Sequence, residues 1–313
     1  MEVEAAPHLF AFGFGYSARA LAAALRPEGW RVSATTRSEE KRAAFARDGV
    51  RCLIFDRGRP LADAAAALAD VTHLLVSAPP DDQGDPVLDQ QADAIIAAPR
   101  LRWIGYLSTT GVYGDTGGAR VDETAPLRPS SERSRRRVDA ERGWLALHAE
   151  AGLPVHVFRL AGIYGPGRSA IDQVRRGEVR RIDRPGHLFS RIHVDDIACV
   201  LKASIARPRP GAIYNVCDDE PAAPADVTAY ACRLLGVEPP PSIAFEHALP
   251  SMSAMARSFW NDNRRVDNSL LERELAVRLR YPDYRSGLAA LAAARTGSRH
   301  ADDRRETTNE AGG

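Results

Sequence analysis

The chain has 313 residues, enough for one large α/β domain with its own core. Its formal net charge of +1 argues against a protein built to hold nucleic acid or an acidic membrane, since both require a broad positive field. Lysine occurs only at Lys41 and Lys202, so arginine is the ordinary cation of this chain and an arginine-rich stretch is less unusual here than elsewhere.

The cysteines and the first residues narrow the class of protein further. Cys52, Cys199, Cys217 and Cys232 lie far apart and form no C-x-x-C pair, which predicts neither a metal site nor a disulfide framework. The beginning of the chain, MEVEAAPH, has no cationic region and does not resemble a secretory signal. No apolar run approaches the ~18 residues that span a bilayer. We therefore expect a cytoplasmic protein without a membrane partner.

Short apolar runs alternate with helical patterns along the first half of the chain. Strand-like runs occupy residues 8–12, 30–36, 52–55, 73–78, 103–108 and 155–160, and helical patterns occupy residues 17–25, 38–46, 61–69 and 87–98. Continuous apolar strands separated by helices indicate parallel strands that are covered on both faces. The sequence therefore predicts an α/β fold with a doubly wound parallel sheet of Rossmann type.

The alternation weakens beyond residue 160. This part has proline-rich loops, such as residues 238–242, and one more strand-like run at residues 212–216. We expect it to build most of a small C-terminal lobe on the substrate side of a domain that spans residues 7–295. Residues 296–313 contain nothing more apolar than alanine, so burial cannot offset their ordering entropy and a disordered tail is expected.

The loop after the first predicted strand reads GFGYSA over residues 13–18, a G-x-G-x-x-A pattern. Between a strand and a helix, this pattern is typical of a dinucleotide-binding loop. Gly13 permits the tight turn, Gly15 lets the backbone approach a pyrophosphate, and Ala18 keeps the helix close to the strand. Tyr16 and Ser17 begin that helix, whose N–H groups are predicted to face the phosphates.

The end of the second predicted strand indicates which dinucleotide is bound. An NAD-specific fold places a carboxylate there for the ribose 2′-hydroxyl, whereas this chain has Arg37 and no acid before Glu39. We therefore predict NADP, with Arg37 on the 2′-phosphate. NAD is the alternative, in which Arg37 is only a surface cation. Ser77 and Pro79, which follow the fourth strand, are predicted to lie along the cofactor.

Three further motifs carry a resemblance to a known family. They read LSTTGVYGD at residues 107–115, RLAGIYGPGR at residues 159–168 and RIHVDDIA at residues 191–198. In this order they resemble the extended short-chain dehydrogenases/reductases, and in particular the atypical, NAD-dependent epimerase/dehydratase-like branch. The resemblance covers about residues 8–292 and implies an NAD(P)-binding domain that acts on a small polar, sugar-like molecule.

Active members of that family carry a Tyr-x-x-x-Lys pair at the start of a helix and a hydroxyl residue after the fifth strand. The tyrosine moves a proton at the substrate oxygen, and the lysine lowers its pKa and holds the nicotinamide ribose. The resemblance places Thr109 at the hydroxyl position, with Ser108 as a neighbour able to replace it. In the run SSERSRRRVDAERG, Arg133 stands at the tyrosine position and Arg137 at the lysine position.

Arginine cannot replace the tyrosine as a general acid, because its guanidinium keeps its proton near neutral pH. Arg137 can still hold ribose hydroxyls and lend positive charge, so we assign it to both the cofactor and the catalytic group. Tyr113 is the replacement acid that we assign, with Tyr164 as a second candidate, although simple packing beneath the site explains either tyrosine as well.

The resemblance also assigns residues outside the catalytic pair. Arg191 and Tyr164 are predicted to face the substrate, where an arginine binds a phosphate or carboxylate. Asp56, which ends the third strand, often contacts the adenine in this family, but a turn-forming role in FDRGRP explains it nearly as well. Asp195 or Asp196 is expected to cap the helix that follows.

Two functions remain open at this point. One is an NADP-dependent oxidoreductase or epimerase/dehydratase-like enzyme with a non-standard acid, and the other is a catalytically silent NADP-binding sensor or regulatory protein. Nucleic-acid binding by the arginine run is disfavoured, because the chain is neutral overall and no aromatic residues interleave with the run. The oligomeric state is open, and a homodimer is compatible with the sequence.

Overall fold

The computed structural model describes residues 6–294 of the chain. Its strands are β1 (His8–Phe12), β2 (Arg31–Thr36), β3 (Arg51–Ile54), β4 (His73–Val76), β5 (Trp103–Thr109), β6 (Arg120–Val121), β7 (Val155–Leu160), β8 (Gly162–Tyr164), β9 (Arg181–Asp183), β10 (Arg191–His193), β11 (Ile213–Val216), β12 (Ser242–Ala244) and β13 (Arg265–Val266). Its α-helices are α1 (Tyr16–Leu25), α2 (Glu39–Arg47), α3 (Ala64–Leu68), α4 (Pro86–Ile96), α5 (Glu132–Ala151), α6 (Ala170–Arg175), α7 (Val194–Ala206), α8 (Pro224–Leu234), α9 (Phe245–Ala248), α10 (Ala254–Trp260) and α11 (Ser269–Leu275), and residues 284–294 are helical as well.

Seven parallel strands form the central sheet, in the order β3-β2-β1-β4-β5-β7-β11. The first strand lies in the interior, with Leu9 in register with Val32 of β2 and with His73 of β4. The direction in which the chain adds strands therefore reverses between β1 and β4, and sheets of this kind bind ligands at the carboxyl ends of the strands at such a point. The predicted doubly wound, Rossmann-type fold is confirmed.

Helices cover the sheet on both faces. One core cluster joins the sheet to α1 and α7, where Leu21 and Ile197 are completely buried, and the other joins it to α4 and α5, where Ile95 and Trp144 are completely buried. In α1 the buried residues Ala18, Leu21, Ala22 and Leu25 follow the spacing of one helical face. The buried alanine and leucine side chains thus hold α1 against the sheet, with the N-terminus of the helix next to the glycine loop.

Six short strands form three parallel pairs outside the central sheet: β6 with β13, β8 with β10, and β9 with β12. Each strand has only two or three residues, too few for a periodic pattern in the sequence, and its partner is distant in the chain. A separate apolar cluster beyond residue 160 includes Tyr164, Ile171, Val227, Tyr284 and Leu288. Tyr164, Val227, Tyr284 and Leu288 of this cluster also line a cavity together with Thr109, the last residue of β5.

One sequence-based assignment beside the site is wrong. The residue that caps α7 is His193, whose Nδ1 accepts the backbone N–H of Asp195 at 3.2 Å, rather than Asp195 or Asp196. The Asp196 carboxylate instead accepts the N–H groups of Arg280 and Tyr281, at 2.7 and 3.0 Å. Asp196 therefore fastens the chain after α11 onto α7. Within residues 6–294, no helix is both long and apolar enough to span a bilayer.

Candidate functional site at the carboxyl edge of the sheet

The glycine loop has two glycines with different requirements. Gly13 has a φ of +86°, donates its N–H to Thr35 Oγ1 at 2.9 Å and accepts the Ser77 hydroxyl at 2.7 Å. A Cβ added to Gly13 would lie 3.0 Å from both Ser77 Oγ and the backbone nitrogen of Ala78, so both conformation and space favour glycine. A Cβ added to Gly15 would meet nothing within 4 Å. The open face at Gly15 fits a close approach by a ligand.

Helix α1 begins directly after Gly15 and carries neither a side-chain cap nor an acidic residue in its first turn. Its first N–H groups therefore remain available for the phosphates of a dinucleotide. Ser17 and Ala18 are buried against the sheet. The Tyr16 hydroxyl donates to the carbonyl of Pro166 at 3.0 Å, and burial raises the pKa of Tyr16 to about 12. Tyr16 thus ties the glycine loop to the loop after β8.

Arg37 follows β2 and is exposed, with no hydrogen bond or ion pair from its guanidinium to any residue in the described range. Asp56, after β3, is already engaged. Its carboxylate accepts the N–H of Gly58 at 3.0 Å and pairs with Arg59, whose hydrogen bonds hold the pKa of Asp56 below its usual value. The turn-forming alternative for Asp56 is therefore the one that the geometry favours. Pro79 is exposed beyond the end of β4.

A cavity of about 530 Å³ lies beyond the carboxyl ends of β5 and β7. Its wall begins at Thr109 and Thr110 and continues through segments 161–164, 167–170 and 188–191, with the exposed side chain of Phe259 also in the wall. The charged residues in the wall are Arg168, Arg176, Arg191, Arg264 and Asp262. Asp262 pairs with Arg264 at 3.0 Å, so the cavity has an excess of positive charge. Such a wall suits an anionic molecule.

Of the two hydroxyl residues at the end of β5, only Thr109 reaches the cavity. Its Oγ1 accepts the N–H of Gly111 at 3.1 Å, which leaves its own hydrogen for another acceptor. Ser108 is buried on the opposite side of the strand and donates to the Glu141 carboxylate. The geometry therefore favours Thr109 over its neighbour.

The arginine run forms the first turns of α5, and its members point in different directions. Arg135 and Arg136 pair with Glu132 on the surface, at 2.9 and 3.5 Å. Arg137 turns toward the sheet and donates to the carbonyl of Leu107 at 2.8 Å and to the hydroxyl of Tyr106 at 3.0 Å. The run is thus neither a uniform solvated face nor a single cationic patch.

Arg133 lies one helical turn before Arg137 on the same side of α5. It is exposed, and its guanidinium has no hydrogen-bond or ion-pair partner in the part of the chain that the structure describes. The next residue, Ser134, is buried, and its Oγ would lie 2.9 Å from a Cβ added to Gly111. The start of α5 therefore packs on the segment that follows Thr109.

Neither candidate replacement tyrosine offers a hydroxyl to the cavity. The Tyr113 hydroxyl donates to Asn215 Oδ1 at 2.7 Å and accepts from Arg159 at 2.8 Å, its ring is buried outside the cavity wall, and burial raises its pKa to about 12. Tyr164 contributes to the wall, but its hydroxyl is buried without a partner within residues 6–294, in the space that a Cβ on Gly287 would occupy. Burial raises the pKa of Tyr164 as well. For Tyr113 the geometry therefore favours the packing alternative, and for Tyr164 it favours a place in the cavity wall.

Arg191, for which the sequence predicts a substrate-binding role, lies in the cavity wall. Its Nη1 donates to the carbonyls of Phe189 and Ala222, at 2.7 and 2.9 Å, which fixes the guanidinium in place. Behind it, Asp218 is buried, and burial raises the pKa of Asp218 to about 8 against the opposing effect of Arg191. A guanidinium held rigidly in a cavity wall is suited to binding a carboxylate or phosphate.

Sequence reasoning missed several residues around the site. Arg168, Arg176, Arg264 and Asp262 come from loops beyond residue 160, and only the tertiary fold brings them to one cavity. The buried pair of Glu141 and Arg159, 2.8 Å apart beneath Thr109, was also missed. The one available signal for that pair was an acid on the apolar side of α5 together with an arginine inside a buried strand.

Comparisons with known proteins agree with this architecture. The model of the family described as "NAD dependent epimerase/dehydratase family" matches residues 13–217. A solved structure of a conserved protein of unknown function from Silicibacter pomeroyi is 52% identical, has a TM-score of 0.84, and covers 92% of this chain and 99% of its own. Protein YeeZ of Escherichia coli is 29% identical over 286 residues, which are 87% of this chain and 95% of YeeZ.

A more distant likeness concerns the fold alone. The dTDP-glucose 4,6-dehydratase of Bacillus anthracis, solved in complex with NAD, is 17% identical with a TM-score of 0.73, covering 92% of this chain and 96% of that protein. The family match spans the glycine loop, the end of β5, the arginine run and the motif of Arg191. The chain therefore belongs to the NAD-dependent epimerase/dehydratase family.

Proposed function

We propose that this protein is an NADP-dependent oxidoreductase or epimerase/dehydratase-like enzyme that acts on a small, polar, anionic and sugar-like molecule. Family membership supports the general class, and the name of the Bacillus anthracis dehydratase supplies a sugar nucleotide as the model substrate. The observation that carries the proposal is the position of Thr109, which lies in the wall of an arginine-rich cavity at the same edge of the sheet as the glycine loop.

The preference for NADP rests on Arg37. A free guanidinium stands where an NAD-specific protein carries a carboxylate, and a charge-assisted contact with a phosphate contributes about 1.5–3 kcal/mol. An at least tenfold tighter binding of NADP than of NAD follows, since ~1.4 kcal/mol corresponds to a factor of ten.

The chain's own residues suggest how it manages without the family tyrosine. When bound, the nicotinamide supplies or accepts a hydride at its C4. In a carbonyl reduction the substrate oxygen then becomes negative, and we assign its stabilisation to the Thr109 hydroxyl in the cavity wall. We assign a second contribution to the Arg133 guanidinium, which is not part of that wall but belongs to the turn of α5 that packs on Gly111. Arg133 acts as a permanent cation and hydrogen-bond donor, and the proton that completes the alcohol comes from water. Arg137, already fixed on β5, adds positive charge beside the ribose.

The second candidate function is a catalytically silent NADP-binding sensor. It is favoured by one specific observation, namely that the hydroxyls of Tyr113 and Tyr164 are both buried away from the cavity. With arginine at the tyrosine position, no usual proton relay is assembled. Both candidates require the cofactor, and only turnover separates them.

The test compares the wild type with Arg133→Ala and with the double variant Arg133→Tyr/Arg137→Lys. Oxidation of NADPH is followed by absorbance with simple carbonyl compounds and with keto-sugar nucleotides. The enzyme proposal expects wild-type turnover that falls at least tenfold in Arg133→Ala, because the anionic oxygen loses its cation. No wild-type turnover, with activity gained in the double variant, supports the silent sensor, since a general acid contributes about 10²–10⁴-fold. Turnover unaffected by Arg133→Ala would remove Arg133 from the mechanism.

A further inference from the structure

Two arginines, Arg37 and Arg59, lie next to each other beyond the carboxyl ends of β2 and β3. The adenosine ribose of a bound dinucleotide would lie there. Strands β2 and β3 pair in parallel up to Thr36 and Ile54, and Phe55 continues the pairing by donating its N–H to the carbonyl of Thr36 at 3.1 Å. The turn after β3 therefore lies against the residue that follows β2. This juxtaposition brings Arg59 to Arg37.

Arg59 is held from two sides. Its Nη2 donates to the backbone carbonyl of Arg37 at 2.8 Å, and its Nε donates to Asp56 Oδ2 at 3.0 Å, with a second hydrogen bond from Nη2 to the same oxygen. The backbones of Asp56 and Arg59 also exchange hydrogen bonds of 3.0 and 3.2 Å across the turn. The guanidinium of Arg59 is thus fixed beside the Arg37 backbone.

These hydrogen bonds leave part of the Arg59 side chain exposed to solvent. Its side chain is 49% exposed, and its Nη1 makes no hydrogen bond to any described residue. Arg37 is exposed as well, and its guanidinium has no partner in that range. Both arginines therefore keep N–H donors exposed to solvent, and the hydrogen bond from Arg59 to the Arg37 carbonyl keeps the two residues adjacent.

Asp56 is committed to this arrangement. Its Oδ2 accepts both hydrogen bonds from Arg59, while its Oδ1 accepts the N–H of Gly58 at 3.0 Å. A carboxylate with both oxygens engaged in this way is poorly placed to serve an adenine amino group. Its contribution is to orient the arginine.

Most of the charged groups around Arg37 and Arg59 are paired with one another. Glu39 pairs with Arg42 at 2.8 Å, and Arg57 turns away to Asp81 and Asp89, at 2.6 and 2.7 Å. Asp56 offsets the charge of Arg59, and the exposed Glu40 lies in the first turn of α2, next to Glu39. The unpaired cation of Arg37 and the free donors of Arg59 match a phosphate monoester, which accepts several charge-assisted hydrogen bonds.

We propose that Arg59, oriented by Asp56, is a second residue that binds the 2′-phosphate of NADP and sets the preference over NAD together with Arg37. The inference rests on the proposed function, because it requires a dinucleotide in the groove. It differs from the sequence-based assignment of Asp56, which places that carboxylate on the adenine. Arg59 binds the phosphate, and Asp56 acts only through Arg59.

The experiment measures the dissociation constants of NADP and NAD by calorimetry for the full chain and four variants: Arg37→Ala, Arg59→Ala, Asp56→Asn and Arg47→Ala. Arg47 is the matched control, since it removes an exposed arginine at the far end of α2, about 12 Å along the helix. Arg37→Ala and Arg59→Ala should each weaken NADP about tenfold while NAD affinity changes less than twofold. Asp56→Asn should weaken NADP about threefold and leave NAD unchanged, and Arg47→Ala should leave both unchanged.

The ratio of the two affinities separates the possible failures. If Arg37→Ala abolishes the preference and Arg59→Ala keeps it, Arg59 does not bind the phosphate and the inference fails while the proposed function stands. If Asp56→Asn weakens both nucleotides equally, Asp56 contacts the adenine and its orienting role is overturned. If the wild type binds both nucleotides equally, the proposed preference for NADP fails first, and if it binds neither, the proposed function itself fails. Thermal unfolding of each variant confirms that it is folded.

Discussion

The two edges of the central sheet differ in the burial and hydrogen bonding of the polar side chains named here. At the amino edge His8, His73, Trp103 and His156 are buried at the starts of four strands, and each has a hydrogen-bond partner. At the carboxyl edge the glycine loop has an open face, and Arg37 and Arg133 have no side-chain partner within residues 6–294. Two cations without a side-chain partner thus lie at the edge where ligands bind in folds of this type.

The amino edge also shows why a residue constellation alone does not make a site. His8 lies 3.0 Å from Asp70 Oδ1 and 2.8 Å from Ser33 Oγ, the hydrogen-bond order of a hydrolytic triad. Ser33 is only 6% exposed and lies outside the cavity wall. A nucleophile that no substrate can reach has a structural role, so access at the carboxyl edge matters as much as residue type.

The largest expected effect comes from breaking the buried ion pair beneath the carboxyl edge. Arg159→Met leaves Glu141 buried and unpaired, and the expected loss is about 3–5 kcal/mol in the free energy of unfolding. Urea denaturation measures it. The matched control, Arg135→Ala, removes an exposed pair with Glu132 and should cost less than about 1 kcal/mol. Equal losses of stability in the two variants would contradict the contrast between a buried and an exposed ion pair.

The second prediction tests the closed amino edge with acid. Burial lowers the pKa of His156 to about 4. Below pH ~6.5 the imidazole is therefore protonated in the unfolded chain while it stays neutral in the folded protein. Stability that depends on neutral His156 is therefore present above pH ~6.5 and is lost as the pH falls toward 4. Between pH 6.5 and 5, the wild type should lose about 1–2 kcal/mol more than His156→Gln in urea unfolding.

That pH comparison needs the variant because another buried group titrates in the opposite sense. The pKa of Asp218 is raised to about 8, so its folded form takes up a proton as the pH falls and gains stability relative to the unfolded chain. Asp218 is present in both proteins and cancels in the difference. Identical pH dependences of the wild type and the variant would show that His156 is charged or exposed in the fold.

The third prediction concerns the open face of the glycine loop. Gly15 has a φ of −83°, which alanine adopts without strain, and an added Cβ meets no protein atom within 4 Å. Gly15→Ala should therefore keep the melting temperature of the wild type. If the pyrophosphate lies against this position, the added methyl group should weaken NADP binding by at least about tenfold. Unchanged binding by calorimetry would place the phosphates elsewhere.

The smallest expected effect distinguishes members of the arginine run. Arg137→Ala removes a cation that is fixed on β5 and should weaken NADP binding by about twofold to fivefold through lost ribose contacts. Arg135→Ala removes the same charge from the surface and should leave binding unchanged. Equal affinities for both variants, measured by the same titration, would show that Arg137 does not contribute to cofactor binding.

Local patterns predicted much of the fold. The strand predicted at residues 8–12 is β1, and the helix predicted at residues 17–25 is α1 apart from one residue, because period and composition are properties of a single segment. The short paired strands escaped prediction, since two or three residues carry no period. The proposed disordered tail, residues 296–313, lies outside the described residues and stays a prediction.

The site was predictable where a backbone requirement shows in the sequence, as at Gly13, and where an arginine replaces an expected carboxylate, as at Arg37. Burial is not written in spacing, so Tyr113 was assigned as an acid although its hydroxyl bonds to Arg159 inside the protein. The assignment of Asp56 to the adenine failed to anticipate its ion pair for the same reason. The Asp56 carboxylate pairs with Arg59 across a turn, and this contact is seen only in the folded structure. The arginines of the cavity come from separate loops, which no local pattern connects.

The hydrogen bond between Tyr16 and Pro166 links the glycine loop to the wall of the cavity. Pro166 precedes Gly167 and Arg168, which belong to the cavity wall, so one short loop contacts the start of α1 and also lines the cavity. If a bound nucleotide displaces Tyr16, we expect the loop that carries Gly167 and Arg168 to move with it, because this hydrogen bond joins the two. Such a movement would change the entrance to the cavity.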